Sequence, residues 1–498
     1  MVAVLALAVS VIIPAAGIAG ENQSVRVPND LLAAAKASPD ATFDVIVQGD
    51  KSHRSDDVAK EVKENEGQLK RMFRSVSGVS ATLTGKQIVT LATRSNIRAI
   101  TRDAQMRTSA LDVGQWRSVV NATTPLLKTG LQAPAIAIVD SGIDSSKTGD
   151  FGSRVVARVN FSSLEPNASG DPSGHGTMVA GVAAGASAYV GGVAPNAPLV
   201  DVRVASSHGE ALTGDIIAAV DWILANKDAY NIRVVNMSLG GGAQTSFRWD
   251  PLDKAVEKLW LSGVVVTASA GNQGNAGGPV PIGAPANDPF IITVGAVDTK
   301  LTLDRGDDNR APWSAYGYTA DGFAKPDVSA PGRSMVMPVS VGSFIPSTLP
   351  TRVVALGYMW MSGTSFSAPV AAGAAAQILA RHPGFTPDQV KGALMLTAQN
   401  APLATKLSLG VGEVDGAAAA EVTTPPNPNQ NLYQFVQNDA DGNPSFDWDG
   451  WTTYVTSTAS WTNTSWTDAS WTNASWTNAS WTNASWTNAS WTNATSAE

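Results

Sequence analysis

The stretch AIAIVDSGID, residues 135–144, is the part of the sequence that best predicts the fold. It starts with five apolar residues and ends in Asp140 and a glycine turn, which is typical of a buried strand that stops at a polar loop. Further apolar runs, separated by helical stretches, cover residues 199–204, 234–237, 264–269 and 291–294. Strands flanked by glycine and alternating with helices favour an α/β fold with a doubly wound parallel sheet, whose functional site lies at the carboxyl ends of the strands.

Two other segments place a histidine and a serine directly before helices of small residues. In SGHGTMVAG, residues 173–181, His175 lies between two glycines, and in SGTSFSAPVAAG, residues 362–373, Ser365 opens the helical run. Taken singly, Asp140 fits a turn residue, His175 a structural histidine and Ser365 a helix N-cap. The sequence of each segment alone leaves these alternatives open.

Together the three residues indicate nucleophilic catalysis. Serine is a poor nucleophile until a base removes its proton, and imidazole has a suitable pKa for that task. The imidazole in turn needs a carboxylate that holds its tautomer. Asp140, His175 and Ser365 follow one another in that order, each at a strand–loop–helix junction. An esterase or lipase is excluded, because that fold runs serine, acid, histidine and carries a G-x-S-x-G turn.

With the motifs VDSGID, SGHGTMVAG and SGTSFSAP, the chain resembles the subtilases, the subtilisin-like serine endopeptidases. The resemblance covers a subtilisin-like peptidase domain over residues 110–422. It implies that Asp140 orients the imidazole, His175 acts as general base and acid, and Ser365 is the nucleophile that forms an acyl-enzyme with protein and peptide substrates.

The resemblance also implies the residues around the reacting bond. ASAGNQG, residues 268–274, matches the family segment whose asparagine donates to the oxyanion, which gives Asn272 that role beside the backbone N–H of Ser365. Gly283 stands where the family's primary specificity pocket has its floor. The lack of a side chain there implies a preference for large apolar residues before the scissile bond. The substrate-binding residues that the resemblance implies are Ser238, Leu239, Gly240, Ala268, Gly271 and Gly283.

Two departures from the family pattern concern cofactors and the triad. Met178 stands where the family often has a second histidine, and it should not affect proton transfer. The loop over residues 184–192 lacks the Asn and Asp residues of the family's strong calcium site, so no metal site is predicted, although structural calcium elsewhere is left open. The chemistry itself requires no cofactor.

Residues 42–108 are expected to form a small α+β unit. The pattern predicts strands at 42–49, 76–85 and 97–102 with helices at 56–73 and 86–95, close to a ferredoxin-like unit if 76–85 is a hairpin. The family resemblance implies an inhibitor propeptide whose tail, residues 103–109, lies in the cleft and is cleaved by Ser365. The alternative is an independent small domain that is never released.

Residues 1–20 are expected to be a signal peptide, because an apolar run is followed by small residues. No basic residue precedes that run, which leaves a truncated start or a short membrane anchor as alternatives. The predicted location is secreted or extracellular.

The C-terminal part has a different composition from the rest. Residues 423–447 are rich in Pro and Asn and are expected to be a linker, and residues 448–498 a tail of five-residue SWTNA repeats that holds seven of the fifteen tryptophans after position 460. The tail is either a flexible low-complexity segment or an adhesive one that contacts a cell surface or a polymer. An adhesive protein with a vestigial protease domain is the second functional hypothesis, and the intact triad with Asn272 argues against it.

The composition excludes several classes of function. With 42 acidic and 34 basic side chains, the net charge near −8 argues against a nucleic-acid partner. The absence of cysteine excludes a thiol nucleophile, a thiolate zinc site and disulfides. Together with the expected signal peptide, the family resemblance implies a secreted serine endopeptidase that is made as a self-processing zymogen.

Overall fold

The computed structural model of the protein describes residues 25–50, 52–103, 105–107, 116–121, 131–187, 190–241, 245–275, 278–405, 407–440 and 442–457. The strands in chain order are β1 (Thr42–Gly49), β2 (Gln68–Met72), β3 (Gly78–Thr84), β4 (Ile97–Arg102), β5 (Gln105–Arg107), β6 (Ala135–Asp140), β7 (Val155–Asn160), β8 (Leu199–Arg203), β9 (Glu210–Leu212), β10 (Ile232–Met237), β11 (Val265–Ser269), β12 (Ile292–Asp298), β13 (Asn309–Arg310), β14 (Gly317–Tyr318), β15 (Ala324–Lys325), β16 (Val328–Pro331), β17 (Met335–Pro338), β18 (Val353–Ala355), β19 (Tyr358–Met361), β20 (Val436–Asn438) and β21 (Pro444–Phe446). The helices are α1 (Asn29–Ala37), α2 (Ser55–Glu64), α3 (Gly85–Leu91), α4 (Thr148–Phe151), α5 (His175–Ala184), α6 (Thr213–Asn226), α7 (Pro251–Leu261), α8 (Phe344–Thr348), α9 (Thr364–Arg381), α10 (Pro387–Thr397), α11 (Gly416–Glu421) and α12 (Trp448–Ser457).

An eight-stranded sheet lies at the centre of the peptidase part. Its strand order is β13-β12-β11-β10-β6-β8-β7, with β16 beside β12, and β13 alone runs antiparallel to its neighbour. Strands β6, β8, β11 and β12 are buried along their whole length, which explains their almost continuous apolar sequence. The predicted doubly wound α/β fold is confirmed.

Helices cover both faces of this sheet. The chain moves from β6 through α4 to the edge strand β7, then through α5 to β8, through α6 to β10 and through α7 to β11. Helix α5 forms one layer, and α6 and α7, which pack against each other, form the second. Helix α9 packs against α5 and against β10, β11 and β12, so it completes the first layer.

The N-terminal part, which we call the N-terminal unit (residues 25–103), forms its own antiparallel sheet with strand order β2-β3-β1-β4. The element order from β1 to β4 is β-α-β-β-α-β. Its separate core is made of aliphatic side chains such as Val45, Val79 and Leu83. The connectivity is that of a ferredoxin-like unit.

One element of this unit differs from the sequence-based expectation. The helix expected over residues 56–73 ends at Glu64, and residues 68–72 form β2 instead. Glu66 adopts a left-handed conformation with φ of 59°, and a Cβ at Gly67 would lie 2.4 Å from Leu83. The chain must therefore turn here, and the hairpin pairs β2 with β3.

The segment expected to be a linker packs on the peptidase part. After a 3₁₀ turn over Gln430–Phe435, strands β20 and β21 form a hairpin and α12 follows. Phe446, Trp448 and Trp451 are 3% exposed and join the core of the peptidase part, where their rings lie 5.2–6.0 Å from that of Phe247. The burial of these aromatic rings stabilises a folded segment despite its Pro- and Asn-rich composition. This part of residues 423–447 is therefore not a free linker, and residues 448–457 are not part of a free tail.

The expected signal peptide (1–20) and the SWTNA repeats after residue 457 lie outside the described residues. Among the helices that the structure describes, none is long and apolar enough to cross a membrane.

Candidate active site

The three candidate catalytic residues lie at the ends of elements that meet at one edge of the sheet. Asp140 is the last residue of β6, His175 the first of α5 and Ser365 the second of α9. Helices α5 and α9 pack against each other, and α9 also lies on the central strands. All three side chains are at most 1% exposed. The structure thus brings the ends of three distant segments into one buried place.

Asp140 and His175 are joined by a direct hydrogen bond. The Asp140 Oδ1 atom lies 2.8 Å from His175 Nδ1 and also accepts the backbone N–H of Ser141 at 2.8 Å. A ring nitrogen that faces a carboxylate is the one that carries the proton, so the other nitrogen, Nε2, is left as the acceptor of the neutral ring. This is the tautomer that a general base needs.

Two glycines allow His175 to lie close to Asp140. Gly142, in the turn after β6, has a φ of 118°, which favours glycine. A Cβ at Gly176 would lie 2.2 Å from the carbonyl oxygen of Gly142. The first turn of α5 therefore lies directly against the loop after β6, and this contact holds His175 beside Asp140.

Two buried carboxylates brace the same loops. Asp171 accepts the hydroxyl of Ser141 and the backbone N–H of Thr177, both at 2.8 Å, and burial raises its pKa. Asp201 accepts the N–H of Ile143 at 3.1 Å, and burial raises its pKa to about 7. These groups fix the backbone on both sides of the Asp140–His175 pair.

The Ser365 hydroxyl is hydrogen-bonded to a backbone carbonyl, and the helix that carries it packs against the helix of His175. The hydroxyl lies 3.4 Å from the carbonyl oxygen of Ser238, a long and weak hydrogen bond. The buried Nε2 of His175 has no hydrogen-bond partner among the described residues, and the ring of Phe366 lies 5.4 Å from the imidazole, centre to centre. Because this bond is weak, little energy is needed to turn the Ser365 hydroxyl away from Ser238.

Asn272 holds a buried amide nitrogen close to the residue that precedes Ser365. Its Oδ1 accepts the backbone N–H and the hydroxyl of Thr364 at 2.9 and 3.2 Å, which fixes the side chain beside the residue before Ser365. Its Nδ2 is buried and has no hydrogen-bond partner among the residues that the structure describes. Gly271, with a φ of 106°, donates its N–H to the Thr364 hydroxyl at 3.1 Å. An unpaired buried donor is costly unless a ligand uses it.

The residues expected to bind substrate fall into two groups. Ser238 is fully buried, and its hydroxyl donates to the carbonyl oxygen of Ser365 at 2.6 Å, so its side chain supports the nucleophile and does not line the cleft. Ala268 is also fully buried inside β11. Leu239 is 2% exposed. The side chains of these three expected substrate-binding residues are thus buried in the structure.

Gly240 and Gly283, in contrast, are partly exposed and come close together. The backbone N–H of Gly241 donates to the carbonyl oxygen of Ala284 at 3.0 Å, which links the segment after β10 to the segment that holds Gly283. This contact places the expected pocket floor beside the expected substrate strand.

The sequence reasoning missed the short strand β9. Its residues pair antiparallel with β5 in the register Gln105↔Leu212, Met106↔Ala211 and Arg107↔Glu210. Three residues give no usable periodicity, and the available signals were the Gly209 turn before the strand and the helix that starts at Thr213. The tail of the N-terminal unit is thus paired with an edge of the peptidase part.

No group of three or more His, Cys, Asp or Glu side chains within the described ranges is arranged to hold a metal ion.

Comparisons with known proteins place this geometry in a family. Residues 132–415 match the subtilase family. The chain is 34% identical over 344 residues to serine protease AprX of Bacillus subtilis strain 168, which covers 66% of this chain and 76% of that protein. It is 35% identical over 396 residues to subtilisin E of the same organism, covering 78% of this chain and 93% of that protein.

A solved structure shows the same fold at lower identity. Fervidolysin from Fervidobacterium pennivorans, a keratinolytic enzyme related to subtilisin, aligns with a TM-score of 0.61 and 22% identity over 77% of this chain and 62% of that chain. The fold, the extent of the family match and the identity to subtilisins lead to one conclusion. The chain belongs to the subtilase family and is a subtilisin-like serine protease.

Proposed function

We propose that the protein is a secreted endopeptidase that cuts protein substrates through Asp140, His175 and Ser365 and is made as a self-processing zymogen. The observation that carries the proposal is the 2.8 Å bond from Asp140 to His175, with Ser365 at the start of the adjoining helix. The unpaired Nδ2 of Asn272 beside them supports the same reaction.

The first half of the reaction forms an acyl-enzyme. The Ser365 oxygen attacks the substrate carbonyl carbon while His175 Nε2 takes the hydroxyl proton, and Asp140 stabilises the resulting imidazolium. The negative oxygen of the tetrahedral intermediate accepts hydrogen bonds from Asn272 Nδ2 and from the Ser365 N–H. His175 then returns its proton to the leaving amine, and the C–N bond breaks.

The second half releases the acyl group. Water attacks the ester carbon and gives a proton to His175, and the same two donors hold the oxyanion. Collapse of this intermediate breaks the bond to the Ser365 oxygen, which takes the proton back. No metal or other cofactor enters either half.

Substrate chains are expected to bind in extended form. An edge strand such as β9 and the backbone at Gly240 offer main-chain groups to any sequence, which favours broad specificity. The lack of a side chain at Gly283, beside the Gly241–Ala284 contact, leaves room for a large apolar residue before the scissile bond.

The N-terminal unit is proposed to be the inhibitor of its own enzyme. Strand β5 already occupies the β9 edge as an added strand. Asp103 accepts the N–H of Gly214 at 2.6 Å, and the Asp221 carboxylate accepts the N–H groups of Arg74 and Ser75. These contacts hold the unit against α6, and they support the inhibitor role together with the pairing of β5 with β9.

Residues 1–20 are proposed to direct export, and the SWTNA repeats to contact a cell surface or polymer. Both proposals rest on composition.

Labelling of the full chain with a fluorophosphonate tests the proposal. We expect the label on Ser365, together with a new N-terminus between residues 103 and 112 read by mass spectrometry. The Ser365→Ala chain should carry no label and remain uncut, whereas Ser262→Ala, which changes a helix-end serine bonded to Leu259, should behave as the wild type.

A folded wild-type chain that takes no label would contradict the proposed chemistry. Normal maturation of the Ser365→Ala chain would show that another protease does the processing.

A further inference from the structure

Three parts of the chain meet on helix α7. The N-terminal unit contributes β1 and β4, the peptidase part contributes α7, and the C-terminal segment (residues 436–457) contributes its hairpin and α12. They enclose a cavity of about 320 Å³ whose lining includes Gln48, Arg98, Lys254, Glu257, Asp439 and Trp448.

The first two parts touch directly. The Gln48 amide donates to the carbonyl oxygen of Trp249 at 3.2 Å and accepts from Lys254 Nζ at 2.7 Å. The guanidinium of Arg26 lies 4.5 Å from the centre of the Trp249 ring, within the range of a cation–π contact. These contacts orient the N-terminal unit on α7.

The same contact brings cations together. Arg98 of β4 is only 13% exposed and lies 5.6 Å from the Trp249 ring, near Lys254 of α7. Burial and the charge of Arg98 both lower the pKa of Lys254. Two parts of the protein thus meet through like charges, and such a contact needs an anion close by.

Glu257 of α7 is one anion near these cations, and the C-terminal segment supplies another. Asp449, in the first turn of α12, places its Oδ1 3.6 Å from Nη2 of Arg98. The preceding Trp448 ring lies 5.4 Å from Lys254 Nζ, and Lys258 of α7 is paired with Asp439 of the hairpin. The C-terminal segment therefore faces both Arg98 and Lys254, and the pair of Lys258 with Asp439 attaches it to α7.

We propose that the C-terminal segment is part of the surface that retains the N-terminal unit, with Asp449 as the counter-ion of Arg98. The segment and α7 together form the receiving surface, so the C-terminal part of the chain controls how long the N-terminal unit stays bound after cleavage. This inference rests on the proposed inhibitory role of that unit.

The test follows the full chain during its own maturation. Two quantities are measured: the time to half-maximal activity after cleavage, and the fraction of the N-terminal unit that co-elutes with the processed protein. For Asp449→Asn and for Arg98→Gln we expect the half-time to shorten about two- to five-fold, the range for a partly exposed ion pair. The co-eluting fraction should fall in parallel, and kcat/KM of the mature enzyme should not change.

Two further variants separate this role from general destabilisation. The double change Arg98→Glu with Asp449→Arg restores an opposite pair and should recover the wild-type half-time. Glu421→Gln removes an ion pair with Arg381 outside the junction, in which the carboxylate is about as exposed as Asp449, and it should have no effect. High salt, about 1 M, should shrink the difference between wild type and Asp449→Asn.

The outcomes distinguish this inference from the proposed function. A wild-type delay that neither single variant shortens would overturn the counter-ion role and leave the inhibitor role intact. A wild-type chain that is fully active while its N-terminal unit remains bound would overturn both.

Discussion

Asn272 uses the two ends of its amide for different tasks. The oxygen is fixed by two hydrogen bonds from Thr364, so the side chain is held in place before substrate arrives. The nitrogen has hydrogens to donate and no partner within the described part of the chain. A donor that is positioned in advance costs no reorganisation when charge develops on the substrate oxygen.

Because the oxygen and the nitrogen of Asn272 have different roles, one substitution can remove the donor and keep the acceptor. Asn272→Asp keeps the oxygen that accepts from Thr364 but replaces the donor by a second acceptor. We expect kcat to fall about 10²–10³-fold or more with little change in KM, which is the loss that removal of such a donor causes in subtilisin. Steady-state kinetics on a peptide ester or anilide measures both constants.

Asn275→Ala, three residues further along the exposed side of the same loop, is the control and should retain wild-type kinetics. A rise in KM with kcat preserved in Asn272→Asp would place Asn272 in substrate binding and remove it from the oxyanion role.

The junction between β4 and β5 carries a pH-sensitive contact. Asp103 bonds to the N-terminal end of α6 at the Gly214 N–H, and its carboxyl faces Asp215, Lys70 and Asp44. Burial, reinforced by Asp215 and Asp44, raises the pKa of Asp103 to about 6 in the docked chain, from an ordinary value of 3.8. The docked state therefore binds more protons than the undocked state between these two values.

We expect docking of the N-terminal unit to be strongest below about pH 4 and to weaken as the pH rises to about 6, with no further change from this group above. Hydrogen exchange of the β5 and β9 amides in the uncut Ser365→Ala chain, corrected for intrinsic rates, measures this. Adding Asp103→Asn should reduce the change, because the amide does not titrate and only the other buried carboxyls of the interface remain, such as Asp221, whose pKa burial also raises. Asp228→Asn, which alters a carboxyl that is 92% exposed, is the control. Equal pH dependence with and without Asp103 would refute the assignment.

Hairpin β20–β21 and helix α12 close one side of the peptidase core. Trp451 is 3% exposed and lies 5.2 Å from Phe247 and 6.0 Å from Phe323, ring centre to ring centre. Trp451→Ala should lower the free energy of unfolding by about 3–5 kcal/mol, because it leaves a large cavity among aromatic rings. Denaturant unfolding of the chain in the Ser365→Ala background, which prevents self-digestion, measures the change.

Leu356→Ala removes a side chain that is 83% exposed and should change stability by less than about 0.5 kcal/mol. A similarly small effect of Trp451→Ala would mean that α12 is a loosely held appendage.

The parts of the structure that were predicted from sequence are those with strong local patterns. Buried parallel strands such as β6 are apolar up to their last residue. Asp140, His175 and Ser365 lie at the ends of three elements, each within a motif that identifies it. The strand direction alone could not show that the Ser238 hydroxyl points under the nucleophile. That orientation depends on how β10 packs against α9.

The errors have tertiary causes. The Pro- and Asn-rich composition of residues 423–447 predicted a linker, but a few aromatic side chains decided the outcome by packing into the peptidase core. The turn at Glu66 and Gly67 broke a helical charge pattern because the hairpin behind it buries Leu83. Strand β9 exists because β5 pairs with it, and a partner 105 or so residues away leaves no local trace.

A truncation after α12 keeps every side chain of the described core, whose last members are Trp448 and Trp451. The variant to test is the chain without residues 458–498. We expect such a chain to process itself, to hydrolyse small peptides at the wild-type rate and to keep the wild-type melting temperature. Removal from residue 444 onward should instead destabilise the protein, because it takes Phe446, Trp448 and Trp451 from the core.

The repeats should matter only at surfaces. Seven tryptophans at five-residue intervals offer large amphipathic rings, the side chains that contribute most to adhesive contacts. The chain without residues 458–498 should therefore be retained less on cell walls or insoluble polymers, measured as the fraction of activity that sediments with them. Because the hydrolytic rate in solution serves as the internal control, equal sedimentation of both chains would remove the adhesive role from the repeats without touching the protease assignment.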